Sequence, residues 1–191
     1  IERAICQQLP PLRKTRRRNL TRFCAGLYEA EHVHLPKIAD RCFGRAQQAS
    51  KTRRLRRFLA NEAVRPGDWY RPVARSLLKA AAAAGPVRLL IDTLHLTGER
   101  RLLVAAVAFR RRALPVLWRV HATSGVTGQD LQRCFVHELA ALVPEEAEVI
   151  VIGDGEFHCV SLLQAVQKAG WTYCVRLHAD TFVRAFVRED V

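Results

Sequence analysis

Apolar residues recur at helical spacing throughout the first 84 residues. The segment Leu12–Glu31 contains no proline and places Leu20, Phe23 and Leu27 on one face, as in an amphipathic helix. The same criterion predicts three further helices, over residues 36–42, 51–64 and 72–84. This part of the chain is therefore expected to be helical.

Turn-forming residues are expected to punctuate and end the helical part. Ser50 is the predicted N-cap of the helix over 51–64. Pro66-Gly67 is expected to break the chain before the last helix, which ends at Gly85-Pro86. The sequence thus predicts a helical domain over residues 1–84 and a second domain over residues 87–191.

The second domain has the hydrophobic pattern of an α/β fold. Apolar runs predict strands over residues 87–93, 101–109, 113–121, 148–153 and 171–177. The tight basic turn Arg110-Arg111-Arg112 should join the second and third strands into an antiparallel hairpin. One helix is expected to start at a capping box, Thr127-x-x-Asp130, and another to cover residues 157–169. The predicted order is β-β-β-α-β-α-β.

Charge differs between these two parts of the chain. Residues 1–80 contain 19 Lys and Arg and 6 Asp and Glu, a net charge of +13, whereas residues 81–191 contain 12 of each sign. Two basic clusters stand out in the helical part. Because few acids balance them, we expect them to bind DNA phosphates rather than form only a solvated face. The residues are Arg13, Lys14, Arg16, Arg17, Arg18, Lys51, Arg53, Arg54, Arg56 and Arg57.

Several classes of protein do not fit the sequence. No apolar run reaches the roughly 18 residues of a membrane span, so no membrane partner is expected, and no signal peptide is recognised. Six scattered cysteines without a CxxC pair predict free thiols in a cytoplasmic protein. The chain has neither a G-x-x-x-x-G-K loop nor a G-x-S-x-G motif, which argues against an ATPase and a serine hydrolase.

Two carboxylates follow apolar strands in the second domain. Asp92 ends the first predicted strand, and Asp154 follows the fourth. Each alone is most simply a cap after a strand. If the two strands are parallel neighbours, however, the carboxylates face each other at the edge where α/β sheets bind ligands. Two such acids favour a hard divalent cation, Mg²⁺ or Mn²⁺, because close carboxylates repel each other without one.

The residues around these acids resemble a known family. The segments LLIDTLHLTGERRLLVAAVAFRRRALPVLWRVH and VIVIGDGEFHCVSLLQAVQKAGWTYCVRLHADT are similar to the DDE transposases of bacterial insertion sequences, in the insertion-sequence-four-like group. The matching residues are Asp92 and Thr93 of I-D-T, Asp154 and Phe157 of D-x-x-F, and then Gly170, Tyr173 and Arg176. The stretch RLRRFLAN, Arg54–Asn61, also resembles the family's N-terminal helical region, and the resemblance spans about residues 33–180.

This resemblance implies a fold, an activity and partners. The fold would be a ribonuclease-H-like mixed sheet preceded by a helical DNA-binding domain. The activity would be metal-dependent cleavage at transposon ends and strand transfer, with Asp92 and Asp154 as catalytic residues that bind Mg²⁺ or Mn²⁺. The partner would be double-stranded DNA, at ends and target, bound by a homo-oligomer in the bacterial cytoplasm at the nucleoid.

The family also has a third acid, a Glu in a downstream Y…R…E…K signature. That signature is not found after Leu177, where the acids are Asp180, Glu189 and Asp190. The chain is therefore expected to be truncated before the third catalytic residue, with weak metal binding and slow or absent cleavage. Two alternatives remain: a catalytically inactive DNA-binding remnant or inhibitor of transposition, and another ribonuclease-H-like nuclease that acts on RNA–DNA hybrid or junction DNA.

Overall fold

A computed structural model describes residues 13–122 and 127–182 of the protein. The chain divides into two compact units, which comprise residues 1–73 and 74–191. The division falls inside a helix that runs from Pro66 to Ala83. None of the helices in the described ranges is long and apolar enough to cross a membrane.

Three helices lie wholly within the described part of the first unit: α1 (Lys14–Ala30), α2 (Leu35–Arg41) and α3 (Gln48–Leu59). Their small core contains the buried side chains of Ile38, Cys42 and Leu55. Helices α1 and α2 approach closely at Gly26. A Cβ atom there would lie 2.7 Å from the carbonyl oxygen of Ile38 and 2.8 Å from Sγ of Cys42. Glycine is therefore needed for this helix contact.

The fourth helix, α4 (Pro66–Ala83), differs from the expectation. Pro66 and Gly67 begin this helix, so the predicted chain break at these residues is wrong. A proline fits the first turn of a helix because the N–H it lacks would have no partner there. As a result Trp69 lies in a helix, and its ring stacks on that of Phe58 with centroids 5.7 Å apart.

The N-terminus of α3 also differs from the prediction. The helix begins at Gln48, and its N-cap residue is Gln47, whose side chain makes no capping hydrogen bond. Ser50 therefore lies in the first turn, and its prediction as the N-cap is wrong. The Nε2 of Gln48 donates to the carbonyl of Pro36 at 3.2 Å. This contact stabilises the half turn of helix that precedes Ser50.

The second unit is a mixed α/β structure, so the predicted fold class is confirmed at that level. Its sheet has five strands in the order β3-β2-β1-β4-β5. Strands β1, β2 and β3 are antiparallel neighbours, and β4 and β5 run parallel to β1. The strands are β1 (Val87–His95), β2 (Arg100–Phe109), β3 (Arg112–Ala122), β4 (Val149–Gly153) and β5 (Thr172–Val175).

The core of this unit lies on one face of the sheet. Along β1, Val87, Leu89 and Ile91 are buried, while the alternating residues Arg88 and Asp92 are exposed. This period of two is that of a strand with one buried face. Two helices, α5 (Gln129–Ala140) and α6 (Val160–Lys168), contribute further buried side chains, which are Phe135, Val136, Leu139, Leu162 and Val166.

The antiparallel hairpin predicted for β2 and β3 is confirmed, but its turn is one residue shorter than predicted because Arg112 begins β3. Only Arg110 and Arg111 separate the two strands, and their φ angles are 45° and 65°. Two central residues with positive φ are the mark of a type I′ turn, whose twist matches that of the strands. The turn is strained because residues with a Cβ atom adopt this conformation at a cost.

Candidate active site

Asp92 lies on β1, and Asp154 directly follows β4, the parallel neighbour of β1. Ile91 of β1 is the register partner of Gly153 of β4, and each aspartate is the next residue along. Neighbouring strands are about 4.8 Å apart. Asp154 keeps an extended backbone, with φ −82° and ψ −167°. Register partners point to the same side of a sheet, and Asp154 continues β4 with an extended backbone, so we expect both carboxylates to extend from the same side near the edge where β4 ends.

Each carboxylate makes one local hydrogen bond. The N–H of Thr93 donates to Oδ1 of Asp92 at 2.8 Å, and the N–H of Glu156 donates to Oδ1 of Asp154 at 2.9 Å. Asp154 thereby caps a one-turn 3₁₀ helix, Gly155–Phe157. Both residues are exposed, and no other hydrogen bond to either carboxylate is found within the described ranges. One oxygen of each carboxylate therefore stays available for a ligand.

The D-x-x-F motif has a structural basis in the packing of Phe157. Its side chain is buried beside Gly153, where a Cβ atom would lie 3.0 Å from Cβ of Phe157. The absence of a side chain at Gly153 allows the turn to close over the end of β4. The buried phenylalanine and the cap together fix the orientation of Asp154.

Glu156 links this turn to the segment before α5. Its Oε1 accepts the N–H of Thr127 at 2.7 Å and the hydroxyl of Thr93 at 3.3 Å. The side chain of Glu156 is half-buried. An acid two residues after Asp154 in the sequence is typical of an exposed first-turn residue that interacts favourably with the helix dipole. The structure instead makes it a clamp between the end of β1 and the start of the segment that leads to α5.

Thr127 completes this clamp. Its hydroxyl lies 3.2 Å from that of Thr93 and 3.4 Å from Nε2 of His121. Helix α5 begins at Gln129 with Gly128 as N-cap and no side-chain capping bond, so the predicted capping box is wrong. The reason is that Thr127 lies one residue too early and its polar groups are engaged by Glu156, Thr93 and His121. Asp130 pairs with Arg133 at 3.0 Å instead.

A wide cleft of about 790 Å³ borders Asp154 and Glu156. Arg176 lines it, and the N–H of Arg176 donates to the carbonyl of Gly153 at 3.1 Å. The rings of His158 and His178 meet edge to face there, with centroids 5.2 Å apart. These residues follow β4 and β5, so the cleft opens at the same edge of the sheet as the two aspartates.

A divalent cation would find two ligands of suitable chemistry at this edge. Asp92 and Asp154 supply exposed oxygens, which fit Mg²⁺ or Mn²⁺. Within residues 13–122 and 127–182, no group of three or more His, Cys, Asp or Glu side chains is arranged to hold a metal ion. Of the acids considered for a third ligand, Asp180 is exposed, and Glu189 and Asp190 lie outside the described residues.

The basic clusters lie in the first unit. The earlier cluster occupies the N-cap and first turns of α1, where Arg16 and Arg17 are half-buried and the others are exposed. The later cluster lies on α3 and is divided between two sides of the helix. Lys51 and Arg54 are half-buried, whereas Arg53, Arg56 and Arg57 are exposed.

Comparisons with known proteins find a structural similarity and no sequence match. No protein-family model matches the chain, and the search of curated proteins gives no match. The crystal structure of the catalytic domain of Mos1 mariner transposase is similar, with a TM-score of 0.36 and 12% identity. The match covers 58% of this chain and 59% of that one, so the chain spans about three fifths of that domain. At this TM-score the similarity supports no assignment of residues.

Proposed function

We propose that this chain is a DNA transposase, or a fragment of one, that cleaves DNA at transposon ends and joins the ends to target DNA. The observation that supports the proposal is the parallel pairing of β1 with β4, in which Ile91 is the register partner of Gly153 and the exposed residues Asp92 and Asp154 each come next. Such a pair of carboxylates is unfavourable unless a cation or a proton compensates it. A ribonuclease-H-like arrangement of the sheet, as the sequence resemblance implies, belongs to the same proposal.

In this proposal Asp92 and Asp154 hold Mg²⁺ or Mn²⁺ through their available oxygens. The bound cation would activate a water or 3′-hydroxyl and stabilise the leaving oxygen of a phosphodiester. Phe157 and the cap at Glu156 keep Asp154 in place. The cleft beside Asp154 gives a DNA strand access to that carboxylate, and the basic first unit supplies most of the affinity for double-stranded DNA. The protein would then act on DNA at the bacterial nucleoid.

A nicking assay on supercoiled plasmid tests the proposal. The chain should nick DNA slowly and only with Mg²⁺ or Mn²⁺, and Asp92→Asn and Asp154→Asn should each reduce the rate about 100-fold. Glu99→Gln removes an exposed acid in the turn between β1 and β2 and serves as the matched control. Nicking that survives chelation, or that both Asn variants retain, would contradict the proposal. Faster cleavage of RNA–DNA hybrid than of duplex would favour a different nuclease.

A second candidate is a DNA-binding chain without catalysis, either a remnant or an inhibitor of transposition. It is favoured by the position of Glu156, the acid nearest to Asp154 along the sequence, whose Oε1 is already bonded to Thr127 and Thr93. This candidate predicts that the chain binds duplex DNA but does not nick it at any Mg²⁺ or Mn²⁺ concentration. Binding and nicking measured on the same preparation separate the two candidates.

A further inference from the structure

Four cationic side chains line one small depression in the first unit. Its volume is about 160 Å³, and it lies against the end of α2, with walls from α1, α3 and the loop between α2 and α3. The four residues are Arg22, Arg45, Lys51 and Arg54. We call this depression the basic pocket. Only Lys51 and Arg54 belong to the basic clusters that the sequence singled out.

The pocket divides the cations of α3 into two groups. Residues three, four and seven positions apart share one side of a helix. Lys51 and Arg54 therefore lie on the side that carries the buried Leu55, whereas Arg53 and Arg57 point away from it and are exposed. Two arginines, Arg22 of α1 and Arg54 of α3, can thus be removed from the pocket, or two from the opposite side of α3, with equal loss of charge.

Contacts around Cys42 hold the charged group of one pocket cation and the backbone of another. Nζ of Lys51 donates to the carbonyl oxygen of Cys42 at 2.5 Å, and Sγ of Cys42 donates to the carbonyl of Arg22 at 3.2 Å. Burial raises the pKa of the Cys42 thiol, while the positive charges of Lys51 and Arg22 act in the opposite direction. Both cations are therefore close enough to Cys42 to act on it electrostatically.

The cations of the pocket have no acidic partners within the described ranges. The ion pairs found there join Arg119 to Glu138 and Arg133 to Asp130, both in the second unit. Like charges around a concave surface repel one another, and a bound anion removes that repulsion. Such a site suits a group with several acceptor oxygens, because guanidinium groups donate to phosphate in pairs.

We propose that the basic pocket binds one backbone phosphate of duplex DNA and fixes the position of the first unit on it. This inference rests on the proposed function for the identity of the ligand, since a free phosphate ion has the same chemistry. Arg22 and Arg45 become DNA-binding residues that lie outside both basic clusters. The exposed arginines of α3 contribute less, because a phosphate bound in the pocket lies on the opposite side of the helix.

The test compares two variants of the full chain with equal charge. Arg22→Gln/Arg54→Gln alters the pocket, and Arg53→Gln/Arg57→Gln alters the exposed side of α3. Fluorescence anisotropy of a labelled duplex, measured over a range of salt concentrations, gives the slope of log K against log salt. Loss of one phosphate contact should reduce that slope by about 0.9. We expect this reduction, with roughly tenfold weaker binding at physiological salt, for the pocket variant, and a clearly smaller change for the other.

A single substitution tests the basic pocket even if the double variant Arg22→Gln/Arg54→Gln does not fold. Arg45→Gln changes an exposed loop residue of the pocket, and Arg41→Gln changes an exposed arginine that does not line it. Weaker binding by Arg45→Gln alone supports the pocket. Equal losses in both double variants, or unchanged binding by Arg22→Gln/Arg54→Gln and Arg45→Gln, overturn it.

Two further measurements separate the possible failures. In one outcome, calorimetry shows that inorganic phosphate binds to the wild type but not to Arg22→Gln/Arg54→Gln, while both proteins bind duplex DNA equally. In that case the ligand of the basic pocket is a free phosphate ion, and the proposal that it binds a DNA phosphate is overturned. If the wild type nicks DNA and the pocket variants bind normally, the pocket fails and the proposed function stands. If the pocket variants lose binding and no metal supports nicking, the pocket stands and the transposase proposal fails.

Discussion

Replacement of Asp154 by asparagine tests whether the two carboxylates are as close as the strand register requires. Asparagine retains an oxygen that can accept the N–H of Glu156, and it caps helices about as well as aspartate. The substitution therefore keeps the local hydrogen bond and removes one of two neighbouring negative charges. Asp154→Ala, by contrast, removes both the charge and the cap.

The size of the effect follows from the strand spacing. Carboxylates about 5 Å apart repel each other by about 1 kcal/mol in water, and the high dielectric constant applies because both side chains are exposed. Without divalent cations, Asp154→Asn should raise the free energy of unfolding of the second unit by about 0.5–1 kcal/mol at low salt. The gain should vanish at about 1 M salt, where the screening length is about 3 Å. In Asp154→Ala, the loss of a cap worth about 1 kcal/mol should cancel the gain in the free energy of unfolding.

Hydrogen exchange at the amides of β1 and β4 in the full chain measures this free energy for the second unit alone. Mg²⁺ should stabilise the wild type more than Asp154→Asn, because a cation between two charged carboxylates replaces repulsion by attraction. Glu99→Gln controls for the loss of a negative charge elsewhere in the unit. The reasoning is refuted if Asp154→Asn brings no gain at low salt, or if Glu99→Gln brings the same gain.

Three other substitutions or modifications test the fold. Gly26→Ala should destabilise the first unit by about 1–2 kcal/mol in thermal or denaturant unfolding, because overpacking against Ile38 exceeds the gain in helix propensity. Gly67→Ala, with no atom within 4 Å of the new Cβ, should not destabilise it. Replacement of Arg110-Arg111 by Asn-Gly should stabilise the hairpin by about 1 kcal/mol, which slower amide exchange in β2 and β3 would reveal. Burial raises the pKa of the Cys24 thiol, so its alkylation at neutral pH should be slower than that of the chain's exposed thiols. Above about pH 8.5 the Cys24 thiol ionises in the unfolded chain before it ionises in the folded one. The stability that this thiol contributes should therefore be lost as the pH rises above that value.

The sheet of the second unit was predictable because its signals are local. Apolar runs of strand length and a basic two-residue turn lie within the stretches of sequence that form β1 to β3. Helix starts were less predictable. A cap depends on which neighbours compete for its polar groups, and Thr127 is taken by Glu156, Thr93 and His121 from other parts of the chain. Pro66 likewise fits either a break or a first helical turn.

The candidate site was predictable in part for the same reason. Asp92 and Asp154 could be identified because each follows an apolar run of strand length, and parallel neighbours end at one edge. Glu156 gave no comparable signal, since its partners lie 63 and 29 residues away along the chain. Only the pairing of β1 with β4 brings Thr93 to it. The sequence signal for the contact with Glu156 was Thr93, the threonine next to Asp92 in the I-D-T motif.

The clamp at Glu156 and the carboxylate pair are separate functions of neighbouring residues. The backbone N–H of Glu156 holds Asp154, and its side chain holds Thr127 and Thr93. Loss of activity after substitution of Glu156 would therefore not identify it as a metal ligand, because Asp154 and the end of β1 would lose their support. Glutamine retains the acceptor oxygen for Thr127 and removes only the charge. If Glu156 is a positioning residue, Glu156→Gln should retain far more activity than Glu156→Ala. If it is a metal ligand, both substitutions should abolish activity.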